Sequence, residues 1–439
     1  MQATISIIGM IVALALLVIM VMKDVNVFVA AISVSLIVAL TGGLDIYDAI
    51  KNNYMTGFVG FMKGNYLIFL AGSMMAKVYE ITGASKSIAR LLLKIFGTKN
   101  AVLAMTLATG ILTYGGISGF VVCFSLFPIA LEMFRAADLP RRYIPGIIIF
   151  GCCTFSALGP GNPQVSQVLL VNALGTDLMT HATVGFICTF LTLILGVWYF
   201  DFSIARAKKK NGETFIARPT DAFKDDQEVP GAAISLLPLV LSLIAINVKI
   251  DGKALVPIEY GVFLGAVLAY ILMRNYASKE KTVMEHVSGS ISDALMAACN
   301  TSTVVGFGSV VAAAAGFNAV VDAMTSIPGP DLVAVAVATN VITGVCGSGS
   351  GGLGLAAPIL APIYAARGMS MGILHRTMLI ASTGIDTMPY NGFVVTVTNG
   401  VCKESHKDAY MPVFWSNMVI PIIVTIVAVV LFTLFPHWP

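Results

Sequence analysis

Charge is the scarcest property of this 439-residue sequence. Only 11% of its residues are Asp, Glu, Lys or Arg, against about 25% in soluble globular proteins. With 57% hydrophobic residues, that scarcity excludes an ordinary soluble domain. The sequence also lacks any CxxC pair and any cysteine beside a histidine at ligand spacing, which argues against a metal site. Its cysteines, Cys123, Cys152, Cys153, Cys188, Cys299, Cys346 and Cys402, lie in or at the ends of apolar runs. A free thiol there behaves as a small hydrophobe, so no disulfide framework, metal site or cofactor is expected. No basic block interleaved with aromatics is present, which removes nucleic acid as a partner. Residues 1–22 carry no charge and no clear cleavage site, unlike a signal peptide with its basic leader. They are expected to remain as a span.

What the chain does have is long apolar sequence. Stretches 5–22, 182–200 and 412–435 approach or exceed the roughly 18 residues that mark a transmembrane helix. Hydropathy places spans near 4–22, 26–42, 65–82, 182–200, 231–248, 257–273, 302–325 and 412–435. The expected fold class is an all-α polytopic protein of the inner (plasma) membrane.

Four further apolar segments are interrupted by small or helix-breaking residues: Gly115-Gly116-Ile117-Ser118-Gly119, Gly159-Pro160-Gly161-Asn162-Pro163, Gly347-Ser348-Gly349-Ser350-Gly351-Gly352 and Asp386-Thr387-Met388-Pro389-Tyr390-Asn391-Gly392. Non-helical backbone at membrane depth is tolerated only where protein buries it or where it lines a cavity. Interrupted segments at corresponding positions of two halves point to a transporter's binding site. Segments 101–134 and 332–366 are therefore expected to be re-entrant hairpins, and 143–174 and 371–402 broken helices. The halves are 1–200 and 231–439, joined by a solvated cytoplasmic linker, 201–230. Pro128, Ile129, Phe134 and Ala136 match Pro358, Ile359, Tyr364 and Ala366 at an offset of 230; Pro160 and Asn162 match Pro389 and Asn391 at 229. This order suggests duplication. With the linker in the cytoplasm, 20 of the 26 Lys and Arg fall inside, as the positive-inside rule expects. The two halves then have opposite orientation, an inverted-topology repeat.

The breaks carry the chemistry. Ser118 and Ser350 sit where they can cap the helices that follow. Asn162 before Pro163 reads as an N-cap with proline at the first helical position, and Asp386 or Thr387 can cap a half-helix bearing Pro389. Each restart leaves free N–H groups and about half a positive charge aimed at the centre, so together they form an anion site without a basic side chain. The expected substrate-binding residues are Gly116, Ser118, Gly119, Gly161, Asn162, Ser348, Gly349, Ser350 and Asn391. Asp386, with Thr387, is the expected site of the coupling ion, because an intramembrane carboxylate is a functional candidate by default. Asp386 as a mere helix cap is the competing reading. His375 and Arg376 are placed at an interface.

These residues resemble those of the gluconate permease (GntP) family, itself similar to a wider ion transporter superfamily. The likeness is carried by 72–84 (GSMMAKVYEITGA), 114–120 (YGGISGF), 156–163 and 346–353 (CGSGSGGL). It implies a scaffold domain, a transport domain moving as an elevator, and a homodimer formed through the scaffold. It also implies uptake of a sugar acid or short hydroxy acid, usually with protons. The run around Asp386 and Met388-Pro389-Tyr390 departs from a gluconate-specific pattern, leaving a smaller acid such as 3-hydroxybutyrate open beside gluconate. The expected function is import of a small hydroxy-carboxylate by proton symport. Sodium-coupled symport and sodium/proton antiport without an organic substrate are the alternatives. No nucleophile, base and orienting acid stand together at the breaks, so an enzyme is not expected.

Overall fold

The computed structural model describes residues 2–23, 25–117, 119–218, 228–250, 253–277, 282–325, 329–389 and 391–438. Ser118, Lys224, Lys279, Lys281 and Tyr390, used above for caps, orientation and the second break, lie outside the described residues. The described chain is all-α, as expected, with one short antiparallel pairing of two residues each, Lys249–Ile250 and Lys253–Ala254, in a connecting loop. Among the described residues, five helices are long and apolar enough to cross a membrane, or six if the bent pair Ile46–Ile81 and Ala84–Phe96 counts as one span.

Two long helices form the spine. Met55–Ile81 and Val283–Ala313 pack along each other. At 1.5 Å per residue they run roughly 40 and 46 Å. Small residues permit the approach, as in membrane helix pairs generally: a Cβ at Gly57 would collide with Ser309. These helices correct the expected spans 65–82 and 302–325. The first begins ten residues earlier. The second begins at a capping box, with Thr282 accepting from the Glu285 N–H and the Glu285 carboxylate accepting from Thr282, and ends where residues 314–316 turn into Phe317–Thr325.

Around the spine the two halves of the sequence pair crosswise. Val27–Gly42 packs on Val283–Ala313, while Ile258–Met273 packs on Met55–Ile81. The hairpins cross as well. Ala101–Tyr114 returns as Gly119–Ala136, which packs on the π-helical turn Thr396–Val401 of the second half. Asp331–Cys346 returns as Gly349–Ala366, which packs on Val165–Leu174 of the first. Positive φ at Gly116 and Gly347 makes the two tips, a conformation that costs glycine nothing.

Part of the expected solvated linker is docked. The helix Ala182–Asn211 runs well into it. Beyond the helix, Glu213 forms a two-bond pair with Arg142 (2.7 and 3.0 Å), and the Phe215 N–H donates to Asp138. Arg218 reaches Glu404, which also takes Arg141 at 2.9 Å. The Phe215 amide and the Lys208 ammonium hold the Asp138 carboxyl below its usual range. Residues 213–218 thus lie as a strap across the ends of the first hairpin and both broken helices.

Candidate functional site

Both broken helices interrupt where expected, and the carbonyls of residues 156–161 in the first break and 386–389 in the second have identified donors. In the first, helical sequence from Ile144 stops with Ser156–Leu158 and resumes as Val165–Leu174. Asn162 donates to the carbonyls of Ser156 (3.0 Å) and Gly159, while its own oxygen accepts from the Gln164 N–H (2.9 Å). Gln167 donates to Gly159, Tyr114 to Pro160, Asn247 to Gly161, and Arg376 to Leu158. A break in a low-dielectric interior is held only by such full accounting.

In the second break, Met371–Ser382 stops and Gly392–Val395 resumes. Asn391 caps the new half-helix, accepting from Phe393 (2.8 Å) and Val394 (3.0 Å), and donates back to the Asp386 carbonyl (2.8 Å). Tyr410 serves the carbonyl of Thr387 and His406 that of Pro389.

Several expected caps move. Gln164, not Asn162, occupies the N-cap position of Val165–Leu174, and no side chain caps that helix. The reason is that both ends of the Asn162 amide are already committed inside the break. Asn391, not Asp386 or Thr387, caps the second half-helix, and Pro389 precedes it. Ser348, not Ser350, caps the second hairpin by accepting from Gly351. Arg376 and His375 are fully buried rather than interfacial.

The tips and breaks meet around one cavity of about 390 Å³. Of the expected site residues, Gly116, Gly119, Ser348, Gly349, Ser350, Asp386, Thr387 and Asn391 line it; Gly161 and Asn162 stand behind it. Gln164, Ser166 and Asn300 also line it and were not anticipated. Gln164 lies one residue beyond the Gly159–Pro163 motif, and Asn300 is a lone amide in a mainly apolar helix just before the span drawn from 302. Ile68, Phe69, Ile117, Phe120, Val304 and Phe393 add apolar lining. There Phe120 and Phe393 meet edge to face at 4.9 Å.

Asp386 is the one charged side chain among the described residues lining this cavity. It is 8% exposed, and its Oδ1 is buried without a hydrogen-bond partner. Its Oδ2 faces the second hairpin so closely that a Cβ at Gly349 would stand 3.0 Å away. Thr387 is committed elsewhere, its hydroxyl donating to the Asn417 carbonyl at 2.9 Å. Uncapped amides at the start of Val165–Leu174 and the hydroxyls of Ser348 and Ser350, 3.4 Å apart, supply donors for an anion in the same cavity as a buried acid.

Comparison with known proteins agrees with this architecture. The GntP family permease profile matches residues 5–435. The transporter YxjC of Bacillus subtilis is 28% identical over 420 residues, covering 86% of this chain and 88% of its own. A gluconate permease of Bacillus subtilis is 28% identical, over 54% of this chain and 52% of its own. The Gnt-II system L-idonate transporter of Escherichia coli is 27% identical, over 52% and 51%. The crystal structure of the Alcanivorax borkumensis YdaH transporter has a similar fold, with a TM-score of 0.58 at 15% identity over 90% of both chains. The protein is a multi-pass inner-membrane transporter, not an enzyme, and it belongs to the GntP family of permeases.

Proposed function

We propose that this permease imports a small hydroxy-carboxylate together with a cation, the cation being a proton carried by Asp386. The observation that carries the reading is the convergence of two hairpin tips and two helix breaks on one cavity whose only charged lining residue, among those described, is an acid. Free amides at a helix start attract a carboxylate. The ionised Asp386 repels it. Like charges held in one cavity at an effective dielectric constant near 20 oppose each other by about 1–4 kcal/mol, roughly five- to a thousandfold in affinity. Protonation removes that penalty, so substrate and proton bind best together.

The relatives' names support a sugar acid or related hydroxy acid. The cavity lining is mixed, with Phe69, Phe120 and Phe393 beside Thr113, Gln164, Ser166, Asn300 and Asn391, so it offers hydroxyl partners as well as apolar surface, and gluconate and the smaller 3-hydroxybutyrate are the two candidates. Ser350, Ser348, Gln164 and the amides of residues 165 and 166 hold the carboxylate; Gly116, Gly119 and Gly349 keep the tips close to it. Gly161, Asn162 and Asn391 shape the breaks.

On this reading residues 1–200 and 231–439 are two copies of one unit in opposite orientation, joined by 201–230, which faces the cytoplasm. The hairpins and broken helices move as an elevator against the spine, and the spine forms a homodimer. Uptake of labelled 3-hydroxybutyrate and gluconate into proteoliposomes, with pH and sodium gradients imposed separately, tests the assignment. Uptake driven by an inward proton gradient is expected. Uptake that responds only to sodium moves the coupling to that ion, and no uptake of any hydroxy acid rejects the substrate class.

A further inference from the structure

The first break is held from the other half of the sequence by two consecutive residues on Met371–Ser382, His375 and Arg376, which stand outside the lining of the cavity described above. Arg376, fully buried, makes four hydrogen bonds, all to main-chain carbonyls. Its Nη1 donates to Leu158 (3.4 Å), its Nη2 to Leu178 (3.2 Å) and Thr180 (2.6 Å), and its Nε to Thr180 (3.0 Å). Leu158 ends the upstream half-helix, whereas Leu178 and Thr180 follow the downstream one. A single planar fork therefore joins the two sides of the break, a geometry lysine cannot reproduce.

His375 adds a second route. Its Nε2 lies 3.2 Å from Gln167 Oε1, and Gln167 donates through its own nitrogen to the Gly159 carbonyl at 2.7 Å. The glutamine oxygen is thus the acceptor, so Nε2 carries the hydrogen, and Nδ1 pairs with the Thr176 hydroxyl at 2.6 Å. Thr176 lies just past Val165–Leu174.

We infer that Arg376 and His375 are positioning residues for substrate binding: they fix the angle between the two half-helices and so aim the uncapped amides of Val165–Leu174 into the cavity. The inference rests on the substrate site proposed above. The same helix leads, four residues after its end, to Asp386, so one buried rod sets the geometry of the anion donors and of the buried acid.

The test uses the full-length protein in proteoliposomes with labelled 3-hydroxybutyrate or, if only that is transported, gluconate. Arg376→Lys and Arg376→Gln should raise KM about tenfold, as loss of one hydrogen bond to a charged group would, with Vmax within about twofold and an unshifted pH profile. His375→Gln should raise KM severalfold and leave the melting temperature close to that of the parent. A purely structural role predicts lower yield and melting temperature with an unchanged KM in the protein that survives, and that outcome overturns the inference. Should the Arg376 variants fail to fold, His375→Gln decides alone, an unchanged KM rejecting the role. Ser350→Ala and Gln164→Ala serve as controls. If these raise KM and the Arg376 and His375 variants do not, only the positioning role falls; if these too are silent, the site itself is misplaced.

Discussion

Asn162 and Asn391 do the same work at the two breaks. Each accepts the amide hydrogen two residues on, from Gln164 at 2.9 Å and from Phe393 at 2.8 Å, and each donates its own amide back across the break, to Ser156 and to Asp386. Residues 229 apart in the sequence thus carry one geometric role, which is the strongest physical support for treating the halves as copies. Asn162→Ala should therefore damage the break rather than only the affinity. It leaves the Gln164 N–H without its acceptor, at roughly 1–3 kcal/mol, and takes one of two donors from the Ser156 carbonyl, which keeps the Gly159 N–H; a thermal-shift measurement in detergent should show the loss. A melting temperature equal to that of the parent would return Asn162 to a direct ligand role.

Ser350 lines the cavity and does not cap its helix, so Ser350→Ala should leave the fold intact. If its hydroxyl binds the substrate carboxylate, the variant loses about 1.5–3 kcal/mol, and the Kd from equilibrium binding should rise about ten- to a hundredfold. An unchanged Kd removes Ser350 from the site.

Asn247, the last residue of Ala232–Asn247, ties the first break to a helix outside the hairpins and broken helices by donating to the Gly161 carbonyl at 2.8 Å. In an elevator movement this bond opens. Asn247→Ala should shift the population away from the present conformation by the net worth of one hydrogen bond, about 1 kcal/mol or roughly fivefold. Distance distributions between spin labels on residues 240 and 354 would report the shift. A distribution identical to the parent's means that the two elements travel together.

The strap over residues 213–218 predicts a different sensitivity. Glu404 has only 4% of its side chain exposed and lies between Arg141 and Arg218. Removing one member of a buried pair strands the others, at about 3–5 kcal/mol. Arg218 is 39% exposed, so Arg218→Ala should cost much less than Glu404→Ala. Protease cleavage after Lys208–Lys210 should accelerate in both. Equal resistance in all three proteins would mean that the strap is held by other contacts.

Much of this fold was legible in the sequence because membranes punish broken backbone. The glycine and proline clusters located both hairpin tips and both breaks, and Asp386 stood out as the acid among them. The caps were less legible. Asn162, Asp386 and Ser350 are all competent N-cap residues by type, and local sequence does not reveal that Asn162 is already committed or that Asn391 reaches the second half-helix first. Arg376 and His375 read as interfacial because they flank an apolar run; the carbonyls that Arg376 bonds and the Gln167 and Thr176 side chains that His375 bonds lie about 200 residues away, beyond any local pattern. The long helices misread at 65–82 and 302–325 begin before the apolar windows: Met55–Ile81 continues from the turn Ala49–Tyr54, and Val283–Ala313 starts in polar sequence at a capping box.

The central claim is that Asp386 couples transport to a proton. Its Oδ1 has no hydrogen-bond partner, and Asn391, not Asp386, caps the half-helix. Asp386→Asn mimics the protonated acid, so the variant should bind substrate and exchange it across the membrane. The decisive measurement is accumulation of labelled acid in proteoliposomes carrying an inward proton gradient, with counterflow exchange run in parallel. The account predicts that exchange persists while gradient-driven accumulation disappears; accumulation by Asp386→Asn at the parent's level would contradict it.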